Sequence, residues 1–80
     1  MSPKLKTLSG SEVVKILESF GFVIEGQKGS HIKLIRHSDT GVKEVLLVPN
    51  HKLIAKGTLS AIIRQASAYI PREELEKKCR

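Results

Sequence analysis

Phe22-Val23-Ile24-Glu25-Gly26-Gln27-Lys28-Gly29-Ser30-His31-Ile32-Lys33-Leu34-Ile35 sets two apolar runs either side of a polar, glycine-bearing centre. Two such runs joined by turn residues read as a β-hairpin. Lys28-Gly29-Ser30-His31 is then the turn, and His31 opens the second strand. The strands are expected over Phe22–Gln27 and Ser30–Arg36. Side chains alternate along a strand, so Ile32 and Leu34 share one face and His31, Lys33 and Ile35 the other. If helices cover the first face, His31 and Lys33 stand on the open one, about 7 Å apart along the strand. Ile35 is out of place there. A histidine at the lip of a strand, with Lys28 and Lys33 beside it, is well placed to meet an anion.

On the N-terminal side, Ser9-Gly10-Ser11-Glu12 has the pattern of a reciprocal helix cap. Val13, Ile16, Leu17 and Phe20 follow at helical spacing on one face, and Gly21 suits the left-handed residue that ends a helix. On the C-terminal side, His37-Ser38-Asp39-Thr40-Gly41 is a turn. Val42–Val48 is a third strand that Pro49 ends; its run Val45-Leu46-Leu47-Val48 is apolar on both faces, so alternation does not say which side is buried. Asn50–Gly57 reads as a loop carrying His51, Lys52 and Lys56. Thr58 is expected to cap a second helix, with Leu59, Ile62, Ile63 and Ala66 buried. Pro71 suits the first position of a short third helix reaching about Lys78, with Glu73 and Glu74 at its start and Lys77 and Lys78 at its end.

The order is α-β-β-β-α with a short C-terminal helix. A three-stranded antiparallel sheet with helices on one face is the simplest α+β arrangement that buries these stripes. The double-stranded-RNA-binding domain has the same order, although fold analogy alone gives no function.

The 80 residues are expected to form one small domain spanning 1–80. The single cysteine, Cys79, excludes a disulfide framework and a multi-cysteine zinc site, and points to a reducing cytoplasm. No apolar run approaches the ~20 residues of a membrane helix, and no apolar core follows Met1-Ser2-Pro3-Lys4 as in a signal peptide. Net charge is +6 and unevenly placed. Residues 26–66 hold Lys28, Lys33, Arg36, Lys43, Lys52, Lys56 and Arg64 against only Asp39 and Glu44, whereas residues 1–25 are neutral. A basic surface of this kind suits a nucleic acid, although it also serves simple solubility.

Most catalytic constellations are missing. There is no phosphate-cradling glycine loop, no dinucleotide fingerprint and no Cys/His cluster at metal spacing. Ser30 and His31 are adjacent, so alternation sends them to opposite faces and a Ser–His nucleophile pair is not expected. Three histidines among lysines remain: His31, His37 and His51. They suffice for metal-free RNA cleavage, in which the substrate supplies its own 2′-OH nucleophile and a histidine moves the proton. Lys56, Gly57 and Thr58, at the start of the second helix, offer an ammonium and unbonded N–H groups to a phosphate. Two other readings fit the same residues: a non-catalytic RNA-binding module, and an interaction protein whose basic face meets an acidic partner. For His37, plain solvation is the simpler reading.

Four blocks, in order, resemble the HicA (YcfA-like) family of toxins from HicAB toxin–antitoxin modules. They are Leu17-Glu18-Ser19-Phe20-Gly21-Phe22, Gln27-Lys28-Gly29-Ser30-His31, Val48-Pro49-Asn50-His51, and Lys56-Gly57-Thr58-Leu59 with Ile62-Ile63-Arg64-Gln65-Ala66. The resemblance implies a double-stranded-RNA-binding-like fold and a type II toxin that cleaves mRNA without metal or ribosome. It implies that His31, the histidine of Gly-Ser-His, is catalytic, and that a HicB-like antitoxin covers it. Ile32 and Lys33 follow the triplet where family members often carry aromatic or further histidine residues. Lys28, Gly29, Ser30, Lys33, His51, Lys56, Gly57 and Thr58 are the candidate RNA and phosphate contacts; no cofactor is expected.

Overall fold

Ser9 opens the first helix. Its hydroxyl accepts the Glu12 N–H at 3.1 Å, and the Glu12 carboxylate accepts the Ser9 N–H at 2.9 Å. Amides that a helix start leaves bare are thereby bonded. This helix, α1, spans Gly10–Glu18 in a computed structural model that describes residues 7–79. Met1-Ser2-Pro3-Lys4 lies outside the described residues. Val13, Val14 and Leu17 are buried, while Ile16 and Phe20 are only partly so. The buried stripe is therefore turned toward Val14, because the chain leaves the helix before Phe20 and that side chain no longer follows the helical spacing. The exit is made by two bonds, Phe22 N–H to Leu17 O at 3.3 Å and Gly21 N–H to Glu18 O at 3.0 Å. With Gly21 at φ +97°, this is the paired closure that favours glycine at a helix end.

Three antiparallel strands follow, β1 (Val23–Lys28), β2 (His31–His37) and β3 (Lys43–Pro49), in the order β1-β2-β3. Each lies one residue later than expected, for local reasons. Phe22 is held by the helix end, so the ladder starts at Val23. Gly29 and Ser30 form the two-residue turn; Gly29 has φ +59°, and among the described residues only glycines have positive φ. A left-handed first residue followed by an ordinary second one is the sign pattern of a type II′ hairpin turn. Pro49 closes the third strand as its last member, opposite His31, which an edge strand tolerates.

The remaining helices are α2 (Lys56–Ala66) and α3 (Arg72–Lys78). Thr58 is not the cap of α2. The first helical bond runs from Leu59 N–H to Ala55 O at 2.9 Å, so Ala55 is the cap residue, without a side-chain bond, and Thr58 lies inside the first turn. Pro71 likewise precedes α3 as its cap rather than taking the first helical position, since Leu75 N–H reaches Pro71 O. The helices cover one face of the sheet. Leu34, Leu46 and Val48 meet Leu17, Leu59 and Ile63 there in one core. The ambiguous run of β3 thus resolves with Leu46 and Val48 inward and Val45 and Leu47 outward. A one-residue-pair bridge, Leu8 with Ile54, adds two buried side chains that periodicity does not mark. Cys79 is buried beside Leu75 in the same cluster; burial raises its thiol pKa and keeps it neutral.

The helices leave β1 uncovered. All six of its residues are exposed, including Ile24, which pairs with the buried Leu34 yet is 51% exposed.

Arg36 is withdrawn from the basic surface. Its Nε donates to Glu44 Oε1 at 2.6 Å, Nη1 to Phe20 O at 2.8 Å and Nη2 to Tyr69 O at 2.9 Å. Its guanidinium carbon sits 4.8 Å from the Phe22 ring centroid. One side chain therefore ties the exit of α1, the α2–α3 link and β3 together. It also satisfies Glu44, which is 8% exposed. A planar, five-donor group suits such a junction better than an ammonium.

Candidate nucleic-acid interface

Lys28 pairs with His31 across the β1–β2 ladder. Directly opposed residues of an antiparallel pair put their side chains on the same face a few ångströms apart. This pairing depends on a bulge. Val23 and Ile24 face Ile35 and Leu34, but Gly26, not Glu25, faces Lys33. Glu25 is the extra residue. Counted without it, alternation from Val23 would bring Gln27 to the face of His31; with it, Lys28 stands there.

The result is an open groove of about 650 Å³ on the sheet face away from the helices. Its lining is Glu25, Gly26, Gln27, Lys28, His31, Lys33 and Leu47. Both Lys28 and His31 are exposed, and neither has an ion-pair partner among the described residues. Lys33 differs, because its Nζ lies 2.9 Å from Glu25 Oε1. Lys43 reaches the other oxygen, Oε2, at 3.4 Å. The hydrogen bond from Lys33, then that from Lys43, holds the Glu25 carboxyl below its ordinary pKa. Down the middle of the same face runs an apolar row, Val23, Ile35, Val45 and Leu47, of which Leu47 is 50% exposed. Ile35 is half-buried within it, which gives that residue a neighbourhood its isolated position in the sequence did not suggest.

The other candidate residues lie outside the groove lining but are tied to its end. Ser30 is in the turn, and its carbonyl accepts the Asn50 N–H at 2.6 Å. The next residue, His51, is exposed and uses its carbonyl to hold the Gly10 N–H at 2.8 Å. Ile54 N–H then bonds to Leu8 O, and Lys56 begins α2. So the hairpin turn, the start of α1 and the loop into α2 are bonded together at one end of the sheet. The first-turn N–H groups of Lys56, Gly57 and Thr58 precede the first helical bond, and all three residues are exposed. Gly29 and Gly57 each have no heavy atom within 4 Å of where a Cβ would sit. At Gly29 the requirement is the turn conformation rather than close approach.

Sequence reasoning did not single out Glu25, Gly26, Lys43 or Leu47 for the site. A glycine inside a strand is the usual mark of a bulge, so Gly26 carried the one readable signal. Among the described residues, no three His, Cys, Asp or Glu side chains gather as metal ligands. No helix there is long and apolar enough to cross a membrane.

A family model described as the HicA toxin of bacterial toxin–antitoxin modules matches residues 10–68. That span begins at the first residue of α1, contains the whole sheet and runs through α2, leaving α3 outside it. No curated protein and no solved structure gives a significant match to the chain.

Proposed function

Because the chain belongs to the HicA toxin family of bacterial toxin–antitoxin modules, we propose that it is an endoribonuclease that cleaves mRNA in the cytoplasm, without metal or ribosome, through His31. The observation that carries this reading is the exposed His31 facing Lys28 across the ladder, in an open groove. The 2′-OH of a bound ribose attacks the adjacent phosphorus. The P–O5′ bond breaks, leaving a cyclic phosphate and a 5′-hydroxyl. His31 takes the 2′ proton as general base or gives one to the departing oxygen as general acid. Lys28 holds the phosphate and stabilises the charge that develops on it. Ser30, Gly29, His51 and the start of α2 (Lys56, Gly57, Thr58) bind the strand on either side of the reacting phosphate.

Purified protein and its His31→Ala variant are incubated with mixed-sequence RNA in chelator. Cleavage by the first alone supports the reading. If neither cuts while both bind RNA with equal salt dependence, the chain is an RNA-binding module instead. One observation favours that second reading: among the described residues no side chain hydrogen-bonds to the His31 ring to orient it.

Membership of the family implies an antitoxin partner. We propose that it is HicB-like and covers the His31 face, since the exposed apolar row of Val23 and Val45, which meets the groove at Leu47, is the kind of surface that partners bury.

A further inference from the structure

We propose that Lys33 and Lys43 form a second phosphate subsite beside the His31–Lys28 pair, and that the Glu25 carboxylate occupies it until RNA arrives. The proposal rests on the RNA reading of the groove and adds to it a residue, Glu25, that sets how tightly the strand is held.

Glu25 bridges two ammonium groups with its two oxygens, Oε1 to Lys33 at 2.9 Å and Oε2 to Lys43 at 3.4 Å. Two non-bridging phosphate oxygens between the same lysines would make the same pair of contacts. A phosphodiester and a carboxylate each carry one negative charge, so the exchange leaves the local charge unchanged. Lys33 stands two residues from His31 along β2, roughly 7 Å by strand geometry. That is comparable to the step between successive phosphates of an extended single strand. All three side chains are substantially exposed, at 37% for Glu25, 41% for Lys33 and 46% for Lys43, so exchange needs no unfolding. Exposed ion pairs are weakly held, and a strand already anchored at Lys28 presents its next phosphate at high local concentration. The bulge is what makes Glu25 available. The same register shift that sets Lys28 against His31 supplies the carboxylate as its extra residue.

The test is binding of a fluorescent single-stranded RNA oligonucleotide across a salt series, in a His31→Ala background that prevents turnover. Glu25→Gln in that background is expected to tighten binding roughly three- to tenfold at low salt. It should steepen the dependence of log Kd on log salt by about 0.7 for each lysine released. Adding Lys43→Ala should remove the gain. Glu18→Gln, which deletes the same charge at the exposed end of α1, should change affinity by less than about twofold. Glu25→Ala repeats the test without an amide side chain, and thermal melting checks that each variant folds. If Glu25→Gln matches Glu18→Gln, or its gain survives Lys43→Ala, the subsite is refuted while RNA binding stands. If the His31→Ala parent binds no RNA at all, the RNA reading fails and the subsite falls with it.

Discussion

Lys28 stands directly across the β1–β2 ladder from His31, with the two-residue Gly29-Ser30 turn joining them. The turn fixes this pairing at one end of β1, the exit of α1 fixes Val23 against Ile35 at the other, and the bulge at Glu25 reconciles the two. The lysine paired with the proposed catalytic histidine is thus positioned by backbone geometry. Lys28→Ala should lower kcat/KM for RNA cleavage about tenfold, equivalent to roughly 1.4 kcal/mol of transition-state stabilisation. His31→Ala should remove measurable cleavage. Initial rates on a fluorogenic RNA distinguish the two, and both variants should melt close to the parent because both side chains are exposed.

Arg36 governs stability rather than RNA binding. Arg36→Leu strands the buried Glu44 carboxylate and bares the carbonyls of Phe20 and Tyr69. The expected cost is about 3–5 kcal/mol, read by urea denaturation. Glu44→Gln, which keeps an acceptor for Nε, should cost less. RNA affinity of any folded Arg36 variant should be close to that of the parent.

Gly10 and Gly57 make a contrasting pair. A Cβ at Gly10 would run into the Pro49 carbonyl oxygen and press on Asn50 and His51, all of them backbone. Gly10→Ala should destabilise by about 1–3 kcal/mol, with Tm falling roughly 4–8 °C per kcal/mol. Gly57 sits in the first turn of α2 with open space around it, so Gly57→Ala should stabilise by roughly 0.5–1 kcal/mol. It keeps the backbone N–H, so RNA binding should survive.

The Glu25 carboxyl should titrate below its unfolded counterpart, because Lys33 and then Lys43 favour its charged form. A depressed folded pKa adds stability above the unfolded value, roughly 4.3, and that increment is lost as pH falls through the folded value. NMR titration of the carboxyl carbon gives the midpoint directly. Lys33→Ala should move it upward by more than Lys43→Ala, following the shorter contact.

Val45 lies on the open face beside the groove without lining it. Val45→Asp should weaken a complex with the antitoxin at least tenfold, measured by calorimetry with the co-purified partner. Cleavage of free RNA should persist. Equal affinity for the antitoxin would place its footprint elsewhere.

The element order, the capping box at Ser9 and Glu12, and the exit at Gly21 were legible because each is set by contacts within a few residues. The same is true of the inward face of β2, where Ile32 and Leu34 alternate with His31 and Lys33. The start of α2 lies three residues earlier than the cap expected at Thr58, because the chain already turns at Ala55 without a side-chain cap. Arg36 counted as surface charge in the sequence; its partners, Phe20 and Tyr69, are 16 and 33 residues away and leave no local signal.

By itself, then, the sequence determined a helix, a hairpin that carries His31 at its lip, a third strand and two more helices, since propensity, caps and turns act over short range. Tertiary structure alone decided which face of Val45–Val48 is buried, that Arg36 is a junction, and that Glu25 holds Lys33 and Lys43. Those outcomes depend on one extra residue in a ladder and on groups brought together from distant parts of the chain, and neither has a local signature that alternation can read.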